Sequence, residues 1–444
     1  MLGAVFIYTL LALCCGVGLF RPHWALLGYY GFSTLVPTYN WRWSLSQDAG
    51  FQKYLAAACL IGFLVGGLRG NQIKGVSLFA CCSLVAYLGL SYISYFMSVN
   101  PRDSAWFLSF MWKIVLMAVV GVALLDRPGR LTALVWVFVL AQGYNALRIN
   151  EDYFRTGIAW YALRGWAYQD NNIYSMLTMP AAGCSLGLMV GGTRTWQRLL
   201  AGGIFTLQMH EVMLLASRGA MLGGIAMGAF CFLLIPKTKY SLLAAAAVVT
   251  AAALLAGPSV TREFASSFES GEDLDSSADS RFKLWEAGWN ITLDYPLLGV
   301  GPNAGRRLVP RYYAGGLDTT NKSLHNIIFD ISTGSGVPAT FAYYSFFIAP
   351  WLALLRIWIR GRQVLPSWAR VSTLAYLCGL VGYFVSGMFA TSPLIETPYG
   401  LGALGCAAVL VIRRHLRQLD SAADGIGGGK VDAGTVNDLP TAAA

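Results

Sequence analysis

Apolar runs alternate with short polar links along almost the whole chain. They fall at 3–20, 24–38, 54–68, 75–97, 106–125, 131–148, 173–192, 198–215, 219–235, 240–256, 337–358, 371–390 and 397–412. A helix rises about 1.5 Å per residue, and a bilayer core is about 30 Å thick, so these runs predict membrane-crossing helices. Segment 24–38 is short and ends at Pro37, so twelve crossings are expected as readily as thirteen. Few strand-like alternations bounded by turns occur, which disfavours a β-barrel. The expected fold class is all-α and polytopic. Residues 1–256 form helices with an outer loop at 148–172, 257–336 form one long loop, 337–412 return to helices, and 413–444 form a disordered cytoplasmic tail.

The links sort by charge. Alternate ones carry Arg21, Arg69 with Lys74, Arg127 with Arg130, Arg194 with Arg198, and Lys237 with Lys239. The same set continues with Arg356, Arg360, Arg362 and Arg370, then Arg413, Arg414 and Arg417. The positive-inside rule puts this set in the cytoplasm. Links 39–53, 98–105, 149–172, 216–218, 257–336 and 391–396 then face outward. The N-terminus is apolar at once, without a basic leader or a small-residue cleavage site, and reads as a retained first helix.

Composition agrees with this picture: 56% of the 444 residues are hydrophobic and 12% charged, against about 25% charged in soluble domains. The net charge of +10 resides in the links, so it reports topology and no nucleic-acid partner is expected. All nine cysteines lie inside apolar runs, which fits small core residues and neither disulfides nor a metal cluster.

Candidate chemistry collects on the outward links. Arg218 opens an apolar run after a link of three residues. It reads as a phosphate clamp through its bidentate guanidinium, or as an interfacial anchor. Arg281, Trp285 and Trp289 recur every four residues. They predict an amphipathic helix at the lipid–water interface, capped by Asp279 or Ser280 and ended by Pro296. At the start of that helix Arg281 is a second phosphate ligand, or a solvated loop residue. Arg306, Arg307 and Arg311 follow as a basic run that steers anions. His325 is the one histidine of the outward loops and a candidate general base, with Asn326 and Asp330 placed to orient it or a sugar. His210-Glu211 lies inside an apolar run, and Glu211 is expected to pair with Arg218 seven residues on, with a proton relay as the second reading. Asp273-Leu274-Asp275 matches a metal-binding DxD pattern, but among other acidic residues it reads as surface. Pro296-Leu297-Leu298-Gly299-Val300-Gly301-Pro302-Asn303 predicts a turn.

Together, Ser217-Arg218-Gly219, Arg281 with Trp285, Pro296 with Gly299 and Gly301, and His325-Asn326 with Gly336 ten residues after the Asn resemble the O-antigen ligase superfamily. That superfamily also holds O-antigen polymerases and O-glycosylation ligases. A further Gly of the ligase pattern is Ala339 here. The resemblance implies a GT-C-like transferase of the inner membrane, with its site facing the periplasm and with no metal and no cofactor. Its donor would be a glycan on undecaprenyl diphosphate, its acceptor a hydroxyl of lipid A–core, and its surroundings membrane lipids. Arg218 and Arg281 would hold the diphosphate and His325 would take the acceptor proton, with Asn326, Arg311, Arg164 and Trp285 as accessory candidates. Asp170-Asn171-Asn172 resembles the O-glycosylation ligases that accompany exosortase systems, which leaves a protein or a second glycan open as acceptor. A transporter of anionic solute is the alternative from another class.

Overall fold

The computed structural model describes residues 2–239, 242–243, 250 and 276–427. Among them thirteen helices longer than a single turn run in order, with no strand beyond an isolated bridge between Trp166 and Gln169. They are α1 (Leu2–Phe20), α2 (Pro22–Leu35), α3 (Phe51–Val65), α4 (Val76–Tyr95), α5 (Pro101–Leu124), α6 (Pro128–Thr156) and α7 (Asn171–Gly191). Then come α8 (Thr195–Leu214), α9 (Arg218–Leu234), α10 (Ser276–Asp294), α11 (Ile327–Gly361), α12 (Ser367–Gly387) and α13 (Glu396–Gly427). Seven of them, α1, α4, α5, α6, α7, α11 and α12, are long and apolar enough to cross a membrane, and α3 and α9 are shorter apolar helices. The protein is an all-α, multi-pass membrane protein. Twelve of the thirteen apolar runs lie on these helices, and 240–256 lies almost wholly outside the described residues.

Local chemistry sets the helix starts. Proline occupies the first turn of α2, α5 and α6, where its missing N–H breaks no helical bond. Asn100, Asp170 and Asn326 cap α5, α7 and α11 with side-chain oxygens that accept from backbone N–H groups one turn on. Three boundaries differ from expectation. Helix α6 continues to Thr156, and α11 begins at Ile327, inside what the apolar pattern left as loop. Helix α13 runs to Gly427, through residues expected to be disordered, because Leu, Arg, Gln and Ala after Ile412 are good helix formers. The rest of the tail, from 428, lies outside the described residues.

Two inner helices hold the bundle together. Gly183, Gly187 and Gly191 stand one turn apart on α7 and face Gly379, Ala375 and Val371 of α12. A Cβ at Gly183 would lie 2.2 Å from the Gly379 Cα. In lipid, where apolar surface alone gives little drive for association, such small-residue stripes let backbones approach and gain packing energy.

Helix α11 is broken at Gly336, whose φ of 87° and ψ of 170° are non-helical. A break inside a membrane helix strands backbone polar groups, and each must find a partner. Here the Val337 N–H donates to the Pro296 carbonyl at 2.8 Å, and the Thr333 carbonyl accepts from the Val300 N–H at 2.9 Å. The Gly334 carbonyl accepts from Ser94 Oγ at 2.8 Å. The Pro296–Asn303 turn is therefore the second half of the break, clipped onto it by backbone bonds.

The links fall into two groups by contact. On one face Tyr39 packs its ring on Trp166 and Tyr168, and Ser217 bonds Asn172. On the same face the Val99 N–H bonds the Val300 carbonyl, and Arg307 pairs with Asp103. On the other face Asn71 bonds the carbonyls of Val122 and Leu125, Arg414 bonds Asn71, and Arg362 bonds the Leu234 carbonyl. These are the two sets that alternating charge separates.

Candidate functional site

Of the helix N-termini on the face that holds His325, those of α7, α9 and α11 are joined near it. Asp170 caps the first by accepting from the N–H groups of Asn172 and Ile173. The next two residues tie this end to the α8–α9 break. Asn171 Nδ2 donates to the Leu215 carbonyl, and Ser217 Oγ donates to Asn172 Oδ1, both at 2.9 Å. At the break Ala216 has a φ of 51°, so the chain reverses sharply and Arg218 becomes the first residue of α9. Partly charged N–H groups at such an end, together with a guanidinium, form a ready anion site.

Gly219 brings a third element close. A Cβ there would lie 2.4 Å from the Phe389 Cβ, so only glycine lets α9 start against the segment after α12. Phe389 in turn packs on Trp285 of α10, ring centroids 5.7 Å apart. The Trp285 Nε1 is buried without a hydrogen-bond partner, as is Thr391 Oγ1 nearby in sequence to Phe389. Unsatisfied buried polar atoms of this kind are uncommon, and each calls for a partner such as water or a ligand.

Helix α10 departs from expectation in two respects. It is already helical at Ser276, so Ser280 lies within it, and Arg281 gains no donors from a helix end. The side chain of Asp279, the other proposed cap, lies outside the described residues. Its buried stripe is Leu284, Ala287 and Ile291, at helical spacing, packed on Val300, Leu308, Val309 and Leu324. This small core orders the loop independently of lipid. Trp285 turns inward while Trp289 stays exposed, so one indole of the two is available for a lipid–water boundary.

His325 sits half-buried immediately before the α11 cap, with a left-handed φ of 49°. That conformation is costly for a residue with a Cβ and is held here by the Asn326 cap on one side and buried Leu324 on the other. Burial pushes the imidazole pKa down, and the Arg281 guanidinium pushes it further. Asp170 acts in the opposite direction, and Lys322 adds to the lowering. His325 is thus within electrostatic reach of the α10 arginine and of the α7 cap together, and it is neutral near pH 7, the form that accepts a proton.

The remaining candidates separate from this group. Asn326 spends its side-chain oxygen on the Ile328 and Phe329 N–H groups. Asp330 lies in the first turn of α11. Arg307 is paired with Asp103 at 2.7 Å, so it braces the 98–105 link more than it steers anions. Arg311 is exposed on the Val309–Tyr312 turn, and Arg164 is exposed with its guanidinium over the Trp160 ring. The expected Glu211–Arg218 helix face is interrupted by the break at 215–217. Glu211 instead accepts from Gln142 at 3.0 Å and from Thr178 at 2.9 Å, joining α6, α7 and α8 beneath the site. Asp273 and Asp275 lie outside the described residues.

Sequence reasoning did not single out Phe389, Lys322 or the capping use of Asp170. The Asp170-Asn171-Asn172 run carried a usable signal: an Asp followed by an apolar helical run is a cap pattern. Phe389 carried none, since its role depends on a contact across the fold.

No curated protein matches the chain. Residues 211–344 match the family model described as O-antigen ligase, a segment that begins one turn before the α8–α9 break and ends past Gly336. Arg218, Arg281, Trp285, His325 and the Pro296–Asn303 turn all lie within it, and the match of this segment supports the O-antigen ligase superfamily.

Proposed function

We propose that the protein is a glycan ligase that moves O-antigen polysaccharide from undecaprenyl diphosphate to a hydroxyl of lipid A–core, at the periplasmic face of the inner membrane. The family match over residues 211–344 supports the coarser part, a glycosyltransferase-like enzyme acting on lipid-linked glycans. The finer reading is supported by one observation: His325, Arg281 and Asp170 share one electrostatic neighbourhood, and Asn171 and Asn172 join that neighbourhood to the residues on which α9 and Arg218 begin.

The acceptor oxygen attacks the anomeric carbon, and the bond from that carbon to the diphosphate oxygen breaks on the opposite side, inverting the centre. The hydroxyl proton passes to neutral His325. The departing electron pair stays on the diphosphate, whose charge Arg218, Arg281 and the α9 N-terminus match. A diphosphate leaves as an anion, so the demand on the protein is charge stabilisation at one end and proton removal at the other. The Asp170-Asn171-Asn172 run, bonded to the Arg218 break, keeps a second reading in view in which the acceptor is a protein or another glycan.

The test incubates purified protein in vesicles with lipid-linked glycan and, in separate reactions, lipid A–core, a second lipid-linked glycan or a protein acceptor. Transfer to lipid A–core that is lost in Arg218→Ala supports the proposal. Transfer only to protein or to glycan moves the assignment to the other branches, and no transfer to any of them refutes it.

A further inference from the structure

The face opposite His325 holds a cavity of about 460 Å³ between the ends of α7, α8, α9, α11 and α12. Arg198, Arg362 and Arg370 line it along with apolar Val190, Trp358 and Leu374, and among the described residues no carboxylate is part of its wall. The three cations come from separate helices: the first turn of α8, the residue that ends α11, and the first turn of α12. Like charges brought together without a counter-charge repel, so the arrangement is stable only with an anion between them or with each cation otherwise engaged.

The engagement is partial. Arg198 Nε donates to the Met189 carbonyl at 2.9 Å, and one terminal nitrogen of Arg362 donates to the Leu234 carbonyl at 2.8 Å. Both carbonyls belong to C-terminal turns, of α7 and α9. Each guanidinium has five N–H donors in a fixed fork, so these bonds orient the two groups and leave most donors for a ligand. Arg370 Nε is buried and has no hydrogen-bond partner among the described residues. The volume falls within the usual range for small-ligand sites. Arg218 opens α9 and Leu234 closes it; the helix has 17 residues, which puts this cavity about 25 Å from the candidate diphosphate site.

We propose that this cavity is a second, separate anion site that binds a phosphate group, either on the headgroup of an anionic membrane lipid or as free phosphate. Arg362 and Arg370 supply the fork, Arg198 closes the third side, and the Val190, Trp358 and Leu374 wall accommodates the glycerol and acyl start of a lipid. Basic pockets between helix ends at a membrane surface are suited to such headgroups. Occupancy joins α8, α11 and α12 at one end, which steadies the bundle from the side away from the chemistry.

Full-length detergent-purified protein is titrated with phosphatidylglycerol, with diacylglycerol as the phosphate-free control, and with inorganic phosphate. Bound ligand is read by native mass spectrometry and by the unfolding temperature. Saturable phosphatidylglycerol binding that weakens about tenfold in Arg370→Gln, a loss typical for one charged hydrogen bond, and recovers partly in Arg370→Lys, identifies the lipid source. The same arginine dependence with inorganic phosphate identifies the free anion. Arg370→Gln carries the test even if Arg362→Gln unfolds through loss of its Leu234 bond, since Arg370 Nε has no bond to lose. Phosphatidylglycerol binding unchanged in Arg370→Gln, diacylglycerol binding as well as phosphatidylglycerol, or no saturable binding of either phosphate ligand would overturn the proposal.

Discussion

At His325 burial and charges of opposed sign set the working form of the imidazole. Burial, Arg281 and Lys322 lower its pKa, and Asp170 raises it. A base must be neutral, so the rate should climb with pH up to that pKa and level above it, with the midpoint below the ordinary value of about 6.5. Removing a cation lets the pKa rise, and removing an anion lets it fall. Lys322→Gln should therefore move the acidic limb of kcat/KM to higher pH, and Asp170→Asn, which keeps the α7 cap, should move it to lower pH. Shifts in the same direction for both variants would rule out the charge arrangement described. Arg218→Ala and His325→Ala should fail differently. Loss of one preorganised donor to a developing charge costs on the order of 3 kcal/mol, roughly a hundredfold, and Arg218→Ala should also weaken donor binding, with Lys restoring only part. His325→Ala should bind donor normally and turn over roughly 10²–10⁴-fold more slowly. Equilibrium donor binding and single-turnover rates, measured separately, distinguish the two. Residue types and their linear order brought Arg218, Arg281 and His325 forward. Their neighbours Asp170 and Phe389 depend on contacts between remote segments, which no spacing in the chain reveals.

At the scale of elements, the break in α11 makes its own prediction. Gly336 has a φ and ψ reserved for glycine, and a Cβ would lie 2.2 Å from the Leu297 carbonyl oxygen. Gly336→Ala should destabilise by roughly 1–3 kcal/mol from backbone strain alone. It should also detach the Pro296–Asn303 turn, lowering both the unfolding temperature and the resistance of the loop to protease. Asn326→Ala should cost about 1 kcal/mol through loss of the α11 cap, read as a smaller shift in the same thermal scan. Apolar runs located the helices well, because bilayer thickness imposes their length. They missed the starts of α10 and α11 because helical residues outside the bilayer need no continuous apolarity. Helix α10 shows this directly: its core stripe of Leu284, Ala287 and Ile291 was obscured by the more conspicuous Arg281-Trp285-Trp289 row.

For the whole molecule, alternating basic links and the two contact groups describe the same division into faces. Cysteines at positions 237 and 413 should resist an impermeant reagent applied from the periplasmic side, and one at 318 should react. Labelling at 237 but not at 318 would invert the orientation and remove His325 from the periplasm. The clip between the Val99 link and the Val300 turn has a consequence for assembly. Arg307 and Asp103 are 204 positions apart, and a ribosome adds about 5–20 residues per second, so roughly 10–40 s separate the synthesis of the two. During that interval the 98–105 link has reached its side of the membrane without its partner, and it accepts the turn only after the six helices α5 to α10 have followed it. Biogenesis of this protein therefore contains a waiting period, in which an early segment remains exposed to quality-control proteases until the late loop arrives to cover it.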